Sequence, residues 1–184
     1  MAELKTRETQ DDIFGMEEES EDTQANKYLF FRISKESYGI GIRHIIEIIE
    51  LQAISTVPDM PAYVRGVINL RGKVIPIVDL RLRFDMDERD YDDRTCIIVT
   101  EIDSILIGFI VDTVEEVMEI LENAIEPPPR FKSASGRERY ISGMGKVGDS
   151  VKILIDVEKI VRDEEIKAIA KEGSGQVQGK DSDG

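Results

Sequence analysis

Two stretches of this chain repeat the same residue pattern, and that duplication limits the possible folds more than any other feature of the sequence. With Tyr28 set over Ile97, YLFFRISKESYGIGIRHIIEIIEL runs without a gap over IIVTEIDSILIGFIVDTVEEVMEI. Gly39 meets Gly108, Ile45 meets Val114, Glu47 meets Glu116 and Glu50 meets Glu119. With Tyr63 set over Tyr140, YVRGVINLRGKVIPIVDL runs over YISGMGKVGDSVKILIDV, so that Gly66 meets Gly143 and Asp79 meets Asp156. The spacing is wider in this second alignment, and the longer loop 122–139, with Pro127, Pro128 and Pro129, absorbs the difference. Isolated apolar matches between β-rich stretches carry no weight, but glycines, tyrosines and aspartates in unbroken register point to a duplication. Each copy supplies about five short strands and one short helix, which suits a small barrel that hides its sheet edges. The expected fold class is all-β. Two similar barrels, one from each copy (about 28–84 and about 95–160), pack together, and a helix from Asp156 to about Lys171 closes them.

Within the first copy, YLFFRIS and SYGIGI read as strands on either side of Lys35 and Glu36. RHIIEIIEL, 43–51, satisfies either period, and its isoleucine content favours a short helix or bend followed by a strand. Val57 to Pro61 breaks the pattern, and one helical turn is expected over Ala62 to Arg65. GVINLRGKVIPIVDL, 66–80, has the signature of a β-hairpin. Asp79 is placed to N-cap a short helix through Leu80 to Phe84, and 85–94 is a polar connector.

Charge is unevenly spread. Residues 1–26 hold nine acidic and two basic side chains, whereas 27–160 hold 23 and 18, out of a net −14 for the whole chain. The segment 1–26 therefore reads as a disordered acidic tail, and 163–184 as the end of the last helix and a second polar tail. Such a balance repels phosphate backbones, so nucleic acid is not an expected partner. No window approaches the length of a membrane span and no secretory leader precedes the domain, which predicts a cytoplasmic protein without direct membrane insertion. Cys96 is the single cysteine and sits in an apolar run, as a structural thiol does. With one histidine, His44, and one cysteine, neither a structural zinc site nor a Cys-His pair anchored by further ligands is expected, and phosphate-binding glycine motifs are absent; no cofactor is expected.

What remains is surface recognition. The polar tip of the hairpin carries Asn69, Arg71, Gly72 and Lys73, which either keep a turn soluble or are held out for a partner. The repeat acts as an internal control: Arg71 lies over Gly148, Asn69 over Lys146 and Lys73 over Ser150. The fold does not require an arginine there, and arginine is the side chain best suited to reading a carboxylate with a fixed fork.

At GVINLRGKVIPIVDLR, preceded by YGI, EII and a VP..P.YV pattern, the chain closely resembles the CheW family of bacterial chemotaxis coupling proteins, over about Lys27 to Arg162. The resemblance implies two five-stranded SH3-like barrels and no catalytic activity. It also implies two partners, the cytoplasmic tip of a chemoreceptor and the regulatory domain of the chemotaxis histidine kinase, and hence recruitment to membrane-associated receptor arrays. Carried over by position, Asn69, Arg71 and Gly72 of the N-L-R-G motif, with Glu47, are implied receptor contacts. Leu29, Ile42 and Ile45 are implied to lie at the kinase-binding edge. A related scaffold role in a non-chemotactic kinase array is the alternative at this point.

Overall fold

The structure is a computed structural model that describes residues 24–128, 136–163 and 166–170. The strands are β1 (Lys27–Ile33), β2 (Glu36–Gly41), β3 (Ile45–Glu50), β4 (Val64–Leu70), β5 (Lys73–Asp79), β6 (Cys96–Ile102), β7 (Ile105–Val111), β8 (Thr113–Glu119), β9 (Ile125–Glu126), β10 (Ile141–Val147) and β11 (Ser150–Ile155). Short α-helices α1 (Leu80–Arg83) and α2 (Val157–Val161) follow β5 and β11. Each helix starts where an aspartate demands it: Asp79 accepts from the amides of Arg81 and Leu82, and Asp156 from that of Lys159.

The strands form two sheets with one order. One runs β8-β1-β2-β11-β10-β9 and the other β3-β6-β7-β5-β4. Under the two repeat alignments, each strand of one sheet falls on the strand in the same place of the other. The registers agree as well: Ile77 pairs with Gly108 where Leu154 pairs with Gly39, and the bulge between Val64 and Gly66 recurs between Ile141 and Gly143. Even the extra strand β9 has a counterpart, a single bridge from Ser55 to Val67. The barrels are therefore alike, as the duplication predicts.

They are not, however, the two sequence copies. β1 and β2 from the first copy complete a sheet with β8 to β11 from the second, while β3 to β5 join β6 and β7. The boundaries 28–84 and 95–160 thus mark repeats but not barrels. A crossover after β2, a 3-10 turn at Ile42–His44, carries the chain from the first barrel to the second, and Asp112 carries it back.

This exchange explains why YLFF is apolar at every position. Phe30 points into one barrel with Ile120 and Leu154, while Leu29 and Phe31 point the other way into a core shared between the barrels. A strand buried on both faces has no polar side to show. Ile97 and Val99 likewise fill the second barrel with Ile68, Ile75 and Ile77, and Ile98 faces the shared core. Each such side chain contributes roughly 1.5–3 kcal/mol when fully buried. Close backbone approach fixes Gly66, which has φ +139 and would place a Cβ 2.1 Å from the Ser55 carbonyl oxygen.

Two local expectations need correction. The C-terminal helix is not continuous from Asp156: α2 ends at Val161, the chain turns at 162–163, and a second helical segment covers 166–170, so Lys171 lies outside the described residues. The Lys167 amide of that segment donates to the Asp163 carbonyl at 2.9 Å. Ala62 and Tyr63 form a turn, closed by the Val64 amide on the Pro61 carbonyl, because β4 begins at Val64. Of the acidic segment 1–26, residues 1–23 lie outside the described residues, whereas 24–26 are ordered, because the Asn26 carbonyl accepts from the Ile120 amide at 2.9 Å.

Candidate partner-binding surfaces

The β4–β5 hairpin closes through a tight turn at Arg71 and Gly72. Leu70 pairs with Lys73, and both central residues have positive φ, +53 at Arg71 and +85 at Gly72. That is the backbone of a type I′ turn, whose twist suits a tight hairpin. Asn69 Oδ1 accepts the Gly72 amide at 2.9 Å and holds the turn. Asn69 and Gly72 therefore shape the tip, and Arg71 and Lys73 project from it, with the Arg71 side chain 76% exposed.

Arg71 is nonetheless aimed. Its Nη2 donates to Glu47 Oε2 at 3.0 Å, and its Nη1 stands 2.9 Å from Glu47 Oε1. Glu47 lies on β3, one end of the five-stranded sheet, and the hairpin lies at the other, so this two-point contact ties the two ends together. The Glu47 side chain is only 21% exposed, and its Oε1 is shut off from water. All four residues expected at the receptor face, Asn69, Arg71, Gly72 and Glu47, are thus brought into one place. In the second copy the tip has Gly148 at φ +58, and an added Cβ there would meet nothing within 4 Å.

Ile42 and Ile45 flank the β2–β3 crossover and are half-buried against the shared core. Leu29 differs: it is 3% exposed and part of that core. It supports this face by packing and offers a partner no surface. His44 sits between the two isoleucines, half-buried and within 3.3 Å of Glu158. Burial foremost, and then the neighbouring Arg43 charge, push its pKa below the usual 6.5 against the opposing pull of Glu158 and Asp156. Cys96 is half-buried at the start of β6, and burial raises its thiol pKa, as befits an unreactive side chain.

Known proteins share this fold. Residues 27–165 match the family described as the CheW-like domain. The chain belongs to the CheW family. It is 33% identical over 148 residues to the chemotaxis protein CheW of Klebsiella aerogenes, covering 80% of this chain and 89% of that one. It is 33% identical over 136 residues to the CheW of Helicobacter pylori, covering 74% and 81%. Among solved structures, the scaffolding protein TtCheW of Thermoanaerobacter tengcongensis superposes with a TM-score of 0.69 at 34% identity, covering 77% of this chain and 95% of that one.

This CheW-family chain also has features that strand patterns did not single out. Ile46 and Ile48 project from β3 on the face opposite Glu47 and are 51% and 43% exposed. As a strand, IIEIIE puts two isoleucines and one glutamate on each face, so the sequence does not say which face is wet. Arg83 is buried between the rings of Tyr63 and Tyr140, 4.6 and 5.1 Å from their centroids, and pairs with Asp163 at 2.8 Å. The two tyrosines are repeat partners, so the matched pair in the sequence marked the contact between barrels, while the arginine between them left no local trace. No helix among the described residues is long and apolar enough to cross a membrane.

Proposed function

We propose that this chain is a non-enzymatic adaptor that couples chemoreceptors to the chemotaxis histidine kinase within a receptor array on the cytoplasmic side of the membrane. The hairpin tip, with Arg71 at its centre, meets the receptor's helical tip. The crossover face around Ile42 and Ile45 meets the regulatory domain of the kinase. Relatives named chemotaxis protein CheW, and a solved relative titled a scaffolding protein, support the role.

One observation carries the receptor assignment. Arg71 occupies a left-handed backbone position that suits glycine, and the equivalent turn does use glycine. An exposed arginine that costs the turn about 1–2 kcal/mol and is steered by a half-buried glutamate is explained by a partner that reads it. The test is a pull-down of receptor cytoplasmic fragment and kinase regulatory domain, separately and together, with wild type and Arg71→Glu. Loss of the receptor with the kinase retained is the expected result. Equal loss of both, or unfolding, refutes the assignment.

A further inference from the structure

Both crossovers between the barrels are pinned to a helix at the same repeat position, but with opposite charges. Asp112 pairs with Arg81 of α1, whereas Arg43, which lies under Asp112 in the first repeat alignment, pairs with Glu158 of α2. Glu158 in turn lies over Arg81 in the second alignment. The two joints are not equally firm. Asp112 Oδ2 accepts from the Ser34 amide at 2.8 Å, from Arg81, and from Arg89 at 3.5 Å, and both Arg81 and Asp112 are largely shielded. Arg43 is 65% exposed and stands 3.8 Å from Glu158.

The looser joint contains the only histidine of the chain. His44 Nε2 accepts from Arg43 Nε at 3.2 Å and also lies 3.3 Å from Glu158 Oε1, which as a carboxylate can only accept. One ring nitrogen therefore faces a donor and an acceptor, and each is satisfied by the opposite protonation state of that nitrogen: bare when the neutral ring carries its proton on Nδ1, an N–H donor when the ring is charged. We propose that His44 is a proton-operated joint: neutral, with its proton on Nδ1, it holds Arg43 by accepting its Nε–H at Nε2; protonated by solvent at Nε2, it donates to Glu158 and releases the Arg43 guanidinium beside Ile42 and Ile45.

The charged groups around the ring are few. Arg43 shares its 3-10 turn, and Asp156, Glu158 and Arg162 face it from α2 and its flanks. Tyr28 on β1 lies near Arg43. Burial, Arg43 and Arg162 favour the neutral ring, while Glu158 and Asp156 oppose them, so the transition falls on the acid side of 6.5. A histidine with a depressed folded pKa contributes stability above its unfolded value, and that contribution is lost as pH falls through the folded one. The regulatory consequence, a new cation at this face in acid, rests on the proposed kinase contact there; the joint itself does not.

Because the chain has a single histidine, its imidazole C–H signals can be followed by NMR in the full-length protein without ambiguity. The expected midpoint lies below 6.5, rises in Arg43→Gln and falls further in Glu158→Gln. Midpoints that stay put in both variants, or move in the same direction, overturn the joint. Affinity for the kinase regulatory domain, measured on both sides of the midpoint, should change about two- to fivefold in wild type and not at all in His44→Gln, with thermal unfolding confirming that the variant folds. Flat wild-type affinity overturns the joint as a regulator of this face. Ile42→Glu serves as the control: if it binds like wild type, the kinase-contact reading fails, and the NMR arm still decides the joint.

Discussion

Replacing Arg71 by glycine separates the fold from the site. Three effects act on stability. Arg71 has φ +53, and relieving a left-handed non-glycine residue gains about 1–2 kcal/mol. Glycine gives the unfolded chain more freedom, which costs about 0.4–1 kcal/mol. Losing the contact to Glu47 costs about 1 kcal/mol, since the arginine is mostly in water while one carboxylate oxygen is not. The sum lies within about 1 kcal/mol of zero, or a Tm change of a few degrees for a chain of this size. Arg71→Ala keeps the strained backbone and loses the contact, so it should be the less stable of the two. Glu47→Gln in the glycine background removes the unpaired charge and should recover part of any loss. Urea and thermal unfolding measure stability, and binding of a receptor cytoplasmic fragment measures function. Arg71→Gly should fold like wild type and bind the receptor much more weakly. Wild-type receptor affinity in a folded Arg71→Gly protein refutes the contact, and a stability loss above about 2 kcal/mol shows that the tip is structural.

Other perturbations test the surrounding fold. Gly66→Ala should lower stability by about 4 kcal/mol or prevent folding, because the new Cβ meets the Ser55 carbonyl at 2.1 Å; soluble expression and circular dichroism report it. Asp79→Ala removes both the α1 cap and the acceptor for Tyr91 Oη at 2.7 Å, and should cost about 2 kcal/mol in urea unfolding. Glu115 is partly buried, which alone would raise its pKa, but hydrogen bonds from Ser37 and Arg32 and the charge of Lys152 hold it below the usual 4.5. Its folded-state pKa is depressed, so it contributes stability above 4.5 that is lost as pH falls through the folded value. Glu115→Gln should therefore flatten the acid limb of the stability–pH curve, measured by urea titration between neutrality and the pH of acid unfolding.

Local chemistry accounts for what the sequence makes legible. Strand pairs show as apolar runs broken at turns, Asp79 and Asp156 announce helix starts, and a glycine facing an arginine across the repeat marks Arg71 as unneeded by the turn. Leu29 shows the limit: its apolar character suits both a binding edge and a core, and only burial separates the two. Ile46 and Ile48 show the same limit in reverse, because alternation gives two faces and leaves open which one is wet.

The sequence alone determines the strands, the duplication and the glycine-dependent turns, since each depends on residues close together in the chain. The tertiary structure decides how the strands are dealt between the barrels. β2 could be followed by β3 in one sheet or in two, and the choice rests on pairings across long separations, such as β1 with β8 and β5 with β7. The contact between Glu47 and Arg71, and the histidine between Arg43 and Glu158, exist only once those pairings have brought distant segments together.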